Sequence, residues 1–194
     1  MKHVATLLAT LALTACSLAP TALPQAVYDL GPGAGTGAVV TTTGGPLAWR
    51  IADVTAPPWL SSDGIAYRLN FQQAQRLAHY RDSAWAAPPA ALLTQRLREQ
   101  LAAMPGCASS SPALLAVHLD QFEQQFNSPT DSHVQLRLTA TLWPAGGEAA
   151  RQQTWSLDRS STPDASGAVR GLAQAVDAWL PQLAGWLASS CQNP

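Results

Sequence analysis

Histidine, cysteine and carboxylate side chains are where a chain of 194 residues would carry chemistry, and here they are few and scattered. His118 and His133 fall on two strands expected to pair, about 25 Å apart along them, too far to share a metal within one chain. His79 stands apart from both. No G-x-S-x-G elbow, H-E-x-x-H run or close D-x-D or E-x-x-E pair occurs. The glycines from Gly31 to Gly37 match neither the dinucleotide nor the P-loop spacing and open no helix. Lys2 is the only lysine, so a mature chain without its N-terminus has no Schiff-base or P-loop lysine. The expectation is a protein with no catalytic residues, no metal and no cofactor.

Cysteine chemistry is more informative. Lys2 precedes an apolar and small-residue run, Val4 to Leu13, about as long as the core of a secretion signal and too short to span a bilayer. It ends in Leu13-Thr14-Ala15-Cys16, which resembles the bacterial lipobox, where the thiol is acylated and the chain is cleaved before the cysteine. Residues 1–15 are therefore read as a signal peptide and Cys16 as the lipidated residue. Ser17, rather than Asp, follows it, which fits outer-membrane sorting. Several acyl chains hold a protein stably, since each buried methylene contributes about 0.8 kcal/mol. Cys107 and Cys191 would then enter an oxidising compartment, where two thiols normally become a disulfide. That bond would close an 85-residue loop and stabilise the fold by a few kcal/mol on chain-entropy grounds. A metal-binding or reactive thiol pair is the weaker reading, because no C-x-x-C spacing occurs.

Charge narrows the class further. Eleven basic residues oppose twelve acidic ones, and only 12% of residues are charged, which disfavours nucleic-acid binding. Hydrophobic residues make up 47%, too many for a wholly disordered chain.

The elements that must position these residues follow from periodicity. Residues 16–46 have a tether-like composition, with a short strand expected at Ala26 to Leu30. Residues 47–194 form the expected domain. Strands are expected at Leu47 to Val54, Ile65 to Phe71 and Arg76 to Tyr80. A helix then opens at Pro88-Pro89, with Leu93, Leu97, Leu101 and Met104 on one face. Leu115 to Phe126 and His133 to Leu142 alternate as a hairpin about Pro129. Phe122 should face Leu136, a bulge near Asp120 or Gln121 should bring Leu119 opposite Ala140, and His118 should lie opposite about Thr141. Arg151 to Leu157 completes a meander. Ala165 to Ser189 is an amphipathic helix that Pro181 should bend or divide. The fold class is α+β: a mixed or antiparallel sheet of about six strands in two β-β-β-α halves. Both helices pack on one face, and the other face needs a cover.

Seven tryptophans are the remaining unusual feature. Most suit core packing, but Trp59 and Trp85 each adjoin a proline-rich turn and read as loop contact residues. Trp179 and Trp186 widen the apolar face of the last helix.

Tyr28-Asp-Leu-Gly-Pro32, Ala56-Pro-Pro-Trp-Leu60 leading to Ile65-Ala-Tyr-Arg-Leu69, and His79-Tyr-Arg-Asp-Ser-Ala-Trp-Ala-Ala-Pro-Pro89 with its following helix together resemble a family. It is the ABC-type transport auxiliary lipoproteins, which include the paraquat-inducible protein C-like lipoproteins. The resemblance implies a non-catalytic, outer-membrane partner of an inner-membrane MCE-domain protein with its ABC permease and ATPase, serving lipid transport across the envelope. On this reading the expected contact surface includes the loops Pro57 to Leu60 and Ser83 to Pro89, with Trp59, Leu60, Tyr80 and Trp85 as contact positions; homo-oligomerisation stays open. The alternative is a structural or assembly lipoprotein that binds envelope proteins or glycan without lipid traffic. A lipid carrier in its own right would need an apolar cavity of several hundred Å³.

Overall fold

Alternating leucines between residues 114 and 143 build the centre of the sheet. The computed structural model describes residues 25–33, 49–102, 104, 112–144 and 149–192, without the side chains of the last two. Cys16 and Cys107 lie outside the described residues, and Cys191 lies in the last turn of the final helix with its side chain outside them. The disulfide expectation therefore falls outside the described part.

In chain order the strands are β1 (Ala26–Tyr28), β2 (Arg50–Ile51), β3 (Gly64–Leu69), β4 (Leu77–Trp85), β5 (Leu114–Phe126), β6 (Ser132–Trp143) and β7 (Arg151–Ser161). The helices are a short α1 (Asn70–Gln73), α2 (Pro89–Leu101) and α3 (Ala165–Gln192). The strands form one mixed seven-stranded sheet in the order β1-β4-β3-β5-β6-β7, with β2 beside the start of β5. The α+β class holds, with both long helices on one face.

β5, β6 and β7 form the expected antiparallel meander. Phe122 faces Leu136, and the register shifts between Leu119 and Gln121, as the phase change in β5 requires. The extra residue sits in β5, so Leu119 meets Leu138 rather than Ala140, and His118 meets Thr139 rather than Thr141. Either leucine pairing keeps the apolar faces together. Asp120, displaced by the bulge, accepts a 2.9 Å hydrogen bond from the Thr139 hydroxyl.

The first half departs from a meander. β2 is two residues long because the Val54 N–H turns away from the sheet and donates to Thr94 Oγ1 at 2.9 Å. β3 runs parallel to the C-terminal half of β5 and stops at Leu69, where α1 begins. β4 runs on for nine residues to Trp85, well past Tyr80.

Helix α2 opens on Pro89 and buries Leu93, Leu97 and Leu101. Helix α3 buries Val169, Leu172, Val176, Leu180, Leu183 and Leu187. It runs unbroken through Pro181, which is exposed, so the carbonyl that the ring leaves free lies on the solvent side of the fold. Trp179 is buried and Trp186 partly so; both meet Trp155 of β7 edge-on, at 6.1 and 5.7 Å between ring centres. These rings are core packing.

The opposite sheet face corrects one expectation. It presents His118, Asp120, Arg137, Thr139, Thr141, Thr154 and Asp158. A polar antiparallel face can meet water directly and needs no cover.

Candidate docking groove

The two proline-rich turns singled out in the sequence meet along one groove. After β2, Thr55 is fixed to β5 by its N–H on the Val117 carbonyl and its carbonyl on the Leu119 N–H, at 3.0 and 2.8 Å. Thr94 of α2 takes the Val54 N–H and donates its own proton to the Ala90 carbonyl at 2.8 Å. Strand edge and helix are thereby held side by side. Residues Pro58–Leu60 then form a 3-10 turn whose first position is proline, where a missing N–H costs nothing. The Leu60 N–H donates to the Pro57 carbonyl at 2.9 Å, and the Ser61 hydroxyl to the Pro58 carbonyl at 2.6 Å. Three residues per turn put neighbours on different sides. Leu60 points in, 3% exposed, and Trp59 points out, 55% exposed.

Between this segment and α2 lies a surface groove of about 630 Å³. Val54 and Ala56 form one wall, Pro88, Ala90 and Ala91 the other, and the buried Leu60 lies at the floor. Asp53, Gln95, Arg98 and Glu99 stand at its mouth. Arg98 Nη2 pairs with Asp53 Oδ1 at 2.6 Å, but both side chains are largely exposed, so the pair contributes at most about 1 kcal/mol. The groove therefore offers small apolar side chains behind a charged rim, with a free indole nearby.

The other anticipated contact residues are placed differently. Trp85 is not in a loop: it ends β4, its N–H donates to the Asp63 carbonyl at 2.7 Å, and its ring packs 5.4 Å from Phe122. At 2% exposure it belongs to the core. Leu60 floors the groove rather than standing free. Tyr80 is half-buried; its ring lies 4.8 Å from Tyr67 and its hydroxyl donates to Gln124 Oε1 at 2.6 Å. Burial, then the nearby Asp164 and Tyr67, push its phenol well above the ordinary range. Gln124 is fully buried and donates in turn to Ser132 Oγ, Ser161 Oγ and the Thr162 carbonyl at 3.0, 2.9 and 2.7 Å. Sequence reasoning passes over Gln124, although it shares the inward phase of Phe122 and Phe126 on β5. A polar residue in that phase is the available signal.

Among the described residues no group of three or more His, Cys, Asp or Glu side chains could hold a metal ion. His118 Nε2 lies 3.9 Å from Asp120 and His133 Nε2 3.3 Å from Asp158, each a separate pair on the polar face. No described helix is long and apolar enough to cross a membrane.

An apolar groove, an exposed tryptophan and a sheet covered on one side make this a domain with a surface suited to binding. The chain belongs to the ABC-type transport auxiliary lipoprotein component family, whose model matches residues 28–184. Among solved structures it is similar to the crystal structure of protein XCC0632 from Xanthomonas campestris, with 21% identity and a TM-score of 0.64. That match covers 88% of this chain and 96% of the other. A second crystal structure, of an uncharacterized protein, is similar at 17% identity and a TM-score of 0.61, covering 84% of this chain and 98% of that one. At these identities the likeness shows the fold. Compared with curated protein sequences, the chain matches none at a significant level. Family membership makes it a lipoprotein accessory of an ABC-type transport system.

Proposed function

We propose that this protein is a non-catalytic, outer-membrane-anchored component of an MCE/ABC-type intermembrane lipid transport system. It faces the periplasm and docks the inner-membrane MCE-domain partner through the groove beside Trp59. The carrying observation is that the 3-10 turn and the start of α2 converge on one apolar groove lined by Leu60, while Trp59, the preceding residue of that turn, is exposed. Exposed aromatics beside an apolar depression are where binding energy concentrates when a partner excludes water. The groove is open and rimmed by Asp53, Arg98 and Glu99, which suits a protein segment better than a sequestered acyl chain.

A photoreactive amino acid at Trp59 in the full-length lipoprotein tests this. The expected result is a crosslink to an MCE-domain protein in intact envelopes, with a much weaker one from Gln152 on the polar sheet face. No crosslink from Trp59, Ala91 or Gln95 would overturn the docking assignment. Recovery of the protein in the inner-membrane fraction would overturn the anchoring assignment.

A further inference from the structure

Residues of the expected tether are built into the fold. β1 lies parallel to β4 at the sheet edge, with Ala26 beside Ser83 and Tyr28 beside Trp85. The Ala86 N–H donates to the Tyr28 carbonyl at 2.6 Å, and Leu30 is buried in the core. The chain then turns: the Gly31 N–H donates to Asp29 Oδ1 at 2.7 Å, with Gly31 at φ +67°, a conformation glycine adopts freely. Arg96 of α2 reaches under this turn. Its guanidinium donates to the Leu30 carbonyl at 3.0 Å, to the Gly31 carbonyl, and to Asp177 of α3 at 3.2 Å. Gly33 lies so close that an added Cβ would collide with Arg96 Nη1.

Arg96 is buried, so its charge needs every one of these partners. A three-residue edge strand has little stability of its own, so the guanidinium is the fastening that holds it. The consequence is a matter of chain length. Ala26 is the tenth residue after Cys16, so a docked strap allows a reach of about 35 Å from the lipid. Released, the next described residue packed in the core is Trp49, 33 residues beyond Cys16, and that chain length sets an upper limit of about 115 Å on the reach.

We propose that residues 26–33 are a clamp that sets the working length of the membrane tether, with Arg96 as its lock. Docked, it keeps the groove close to the anchoring membrane; released, it lets the domain extend toward a distant partner. The membrane part of this inference rests on the reading of Cys16 as the lipid-bearing residue. The clamp itself stands on the contacts above.

Two measurements on the full-length lipidated protein test it. Amide exchange should show the Ala86 N–H protected in the wild type and exchanging at least about tenfold faster in Arg96→Gln, while Leu136 in the sheet centre keeps its protection. In vesicles of phosphatidylethanolamine and phosphatidylglycerol carrying an acceptor dye, a donor attached through Gln152→Cys should transfer less energy in Arg96→Gln than in the wild type. A disulfide through Ala26→Cys and Ser83→Cys should restore the transfer in the Arg96→Gln background, which separates release of the strap from general unfolding. Equal Ala86 exchange in wild type and variant, or transfer that neither variant changes, would overturn the clamp. Vesicle binding that survives Cys16→Ser would overturn the anchor alone, and the clamp would then stand or fall on the exchange of Ala86.

Discussion

The Tyr80 hydroxyl on β4 donates to Gln124 Oε1 on β5 at 2.6 Å, reaching past Tyr67 of the intervening strand β3. The bond links strands that are not neighbours, and Gln124 continues it to β6, β7 and the Thr162 carbonyl. This polar latch closes the sheet at the end where the apolar leucine rows run out.

Tyr80→Phe should therefore destabilise the domain by about 1–3 kcal/mol, because it leaves a fully buried amide oxygen without its donor. Urea unfolding measures it. Tyr80→Phe with Gln124→Met should be less costly than the two single changes added together, since no orphaned oxygen remains. The same latch sets an alkaline limit. Tyr80 in the folded state holds its proton above the ordinary value of 10.0. The unfolded chain loses it first, so this contribution is complete below that pH and declines as pH rises through the folded value. In Tyr80→Phe the fall in stability above pH 10 should be shallower, and an unchanged slope would refute the assignment.

Trp59 and its neighbour Leu60 separate binding from folding within one turn. Trp59→Ala should shift stability by less than about 0.5 kcal/mol, because an exposed ring loses few contacts. It should weaken capture of the transport partner tenfold or more if the groove is the docking site. Leu60→Ala should cost about 2–3 kcal/mol of stability by opening a cavity at the groove floor. Trp85→Ala should cost about 3–5 kcal/mol, as expected of a core ring. Thermal melts and pull-downs on the same variants provide both readouts. A Trp59→Ala protein that melts early but binds normally would reverse the argument.

Asp164 caps α3. Its Oδ1 accepts the Ser166 hydroxyl at 2.6 Å and the Gly167 N–H at 2.7 Å, and its carbonyl takes the first helical hydrogen bond from Ala168. The Ser166 hydrogen bond, followed by that of Gly167, lowers its carboxyl below the ordinary 3.8. A depressed folded value contributes stability above the unfolded one and loses it as pH falls through the folded one. Asp164→Ala should thus cost about 1 kcal/mol at pH 7. The difference from wild type should shrink below about pH 4, as followed by helical circular dichroism against urea.

How much of this is legible in the residues alone depends on the range over which each signal acts. The β5–β6 hairpin announces itself through alternation and a phase slip at Asp120, both local to the strands. The leucine rows of α2 and α3 are equally plain. Trp85 misleads because a tryptophan two residues before Ala87-Pro88 has the look of a loop, and only pairing with Asp63 and Phe122 draws it inside. β2 reads too long because nothing near Val54 in sequence says that its N–H will go to Thr94. Arg96 is invisible for a similar reason: its partners are 65 and 66 residues before it and 81 after it. The groove is half-legible, since both proline turns stand out while their meeting does not.

Two glycines in α3 make a last test, because their surroundings are opposite. At Gly171 the helix crosses β6 so closely that an added Cβ would stand 2.9 Å from Val134 Cγ2. At Gly185 nothing lies within 4 Å. Alanine at an open helical site stabilises by about 0.5–1 kcal/mol, because it reduces the freedom of the unfolded chain. Gly185→Ala should therefore raise the melting temperature. Gly171→Ala should lower it, since overpacking a rigid sheet contact costs about 1–3 kcal/mol and outweighs the same backbone gain. Adding Val134→Ala to Gly171→Ala should recover part of the loss by removing the opposing methyls, so the two changes together cost less than their sum. If Gly171→Ala stabilises as much as Gly185→Ala, α3 does not sit against β6 at the distance on which the covered sheet face depends.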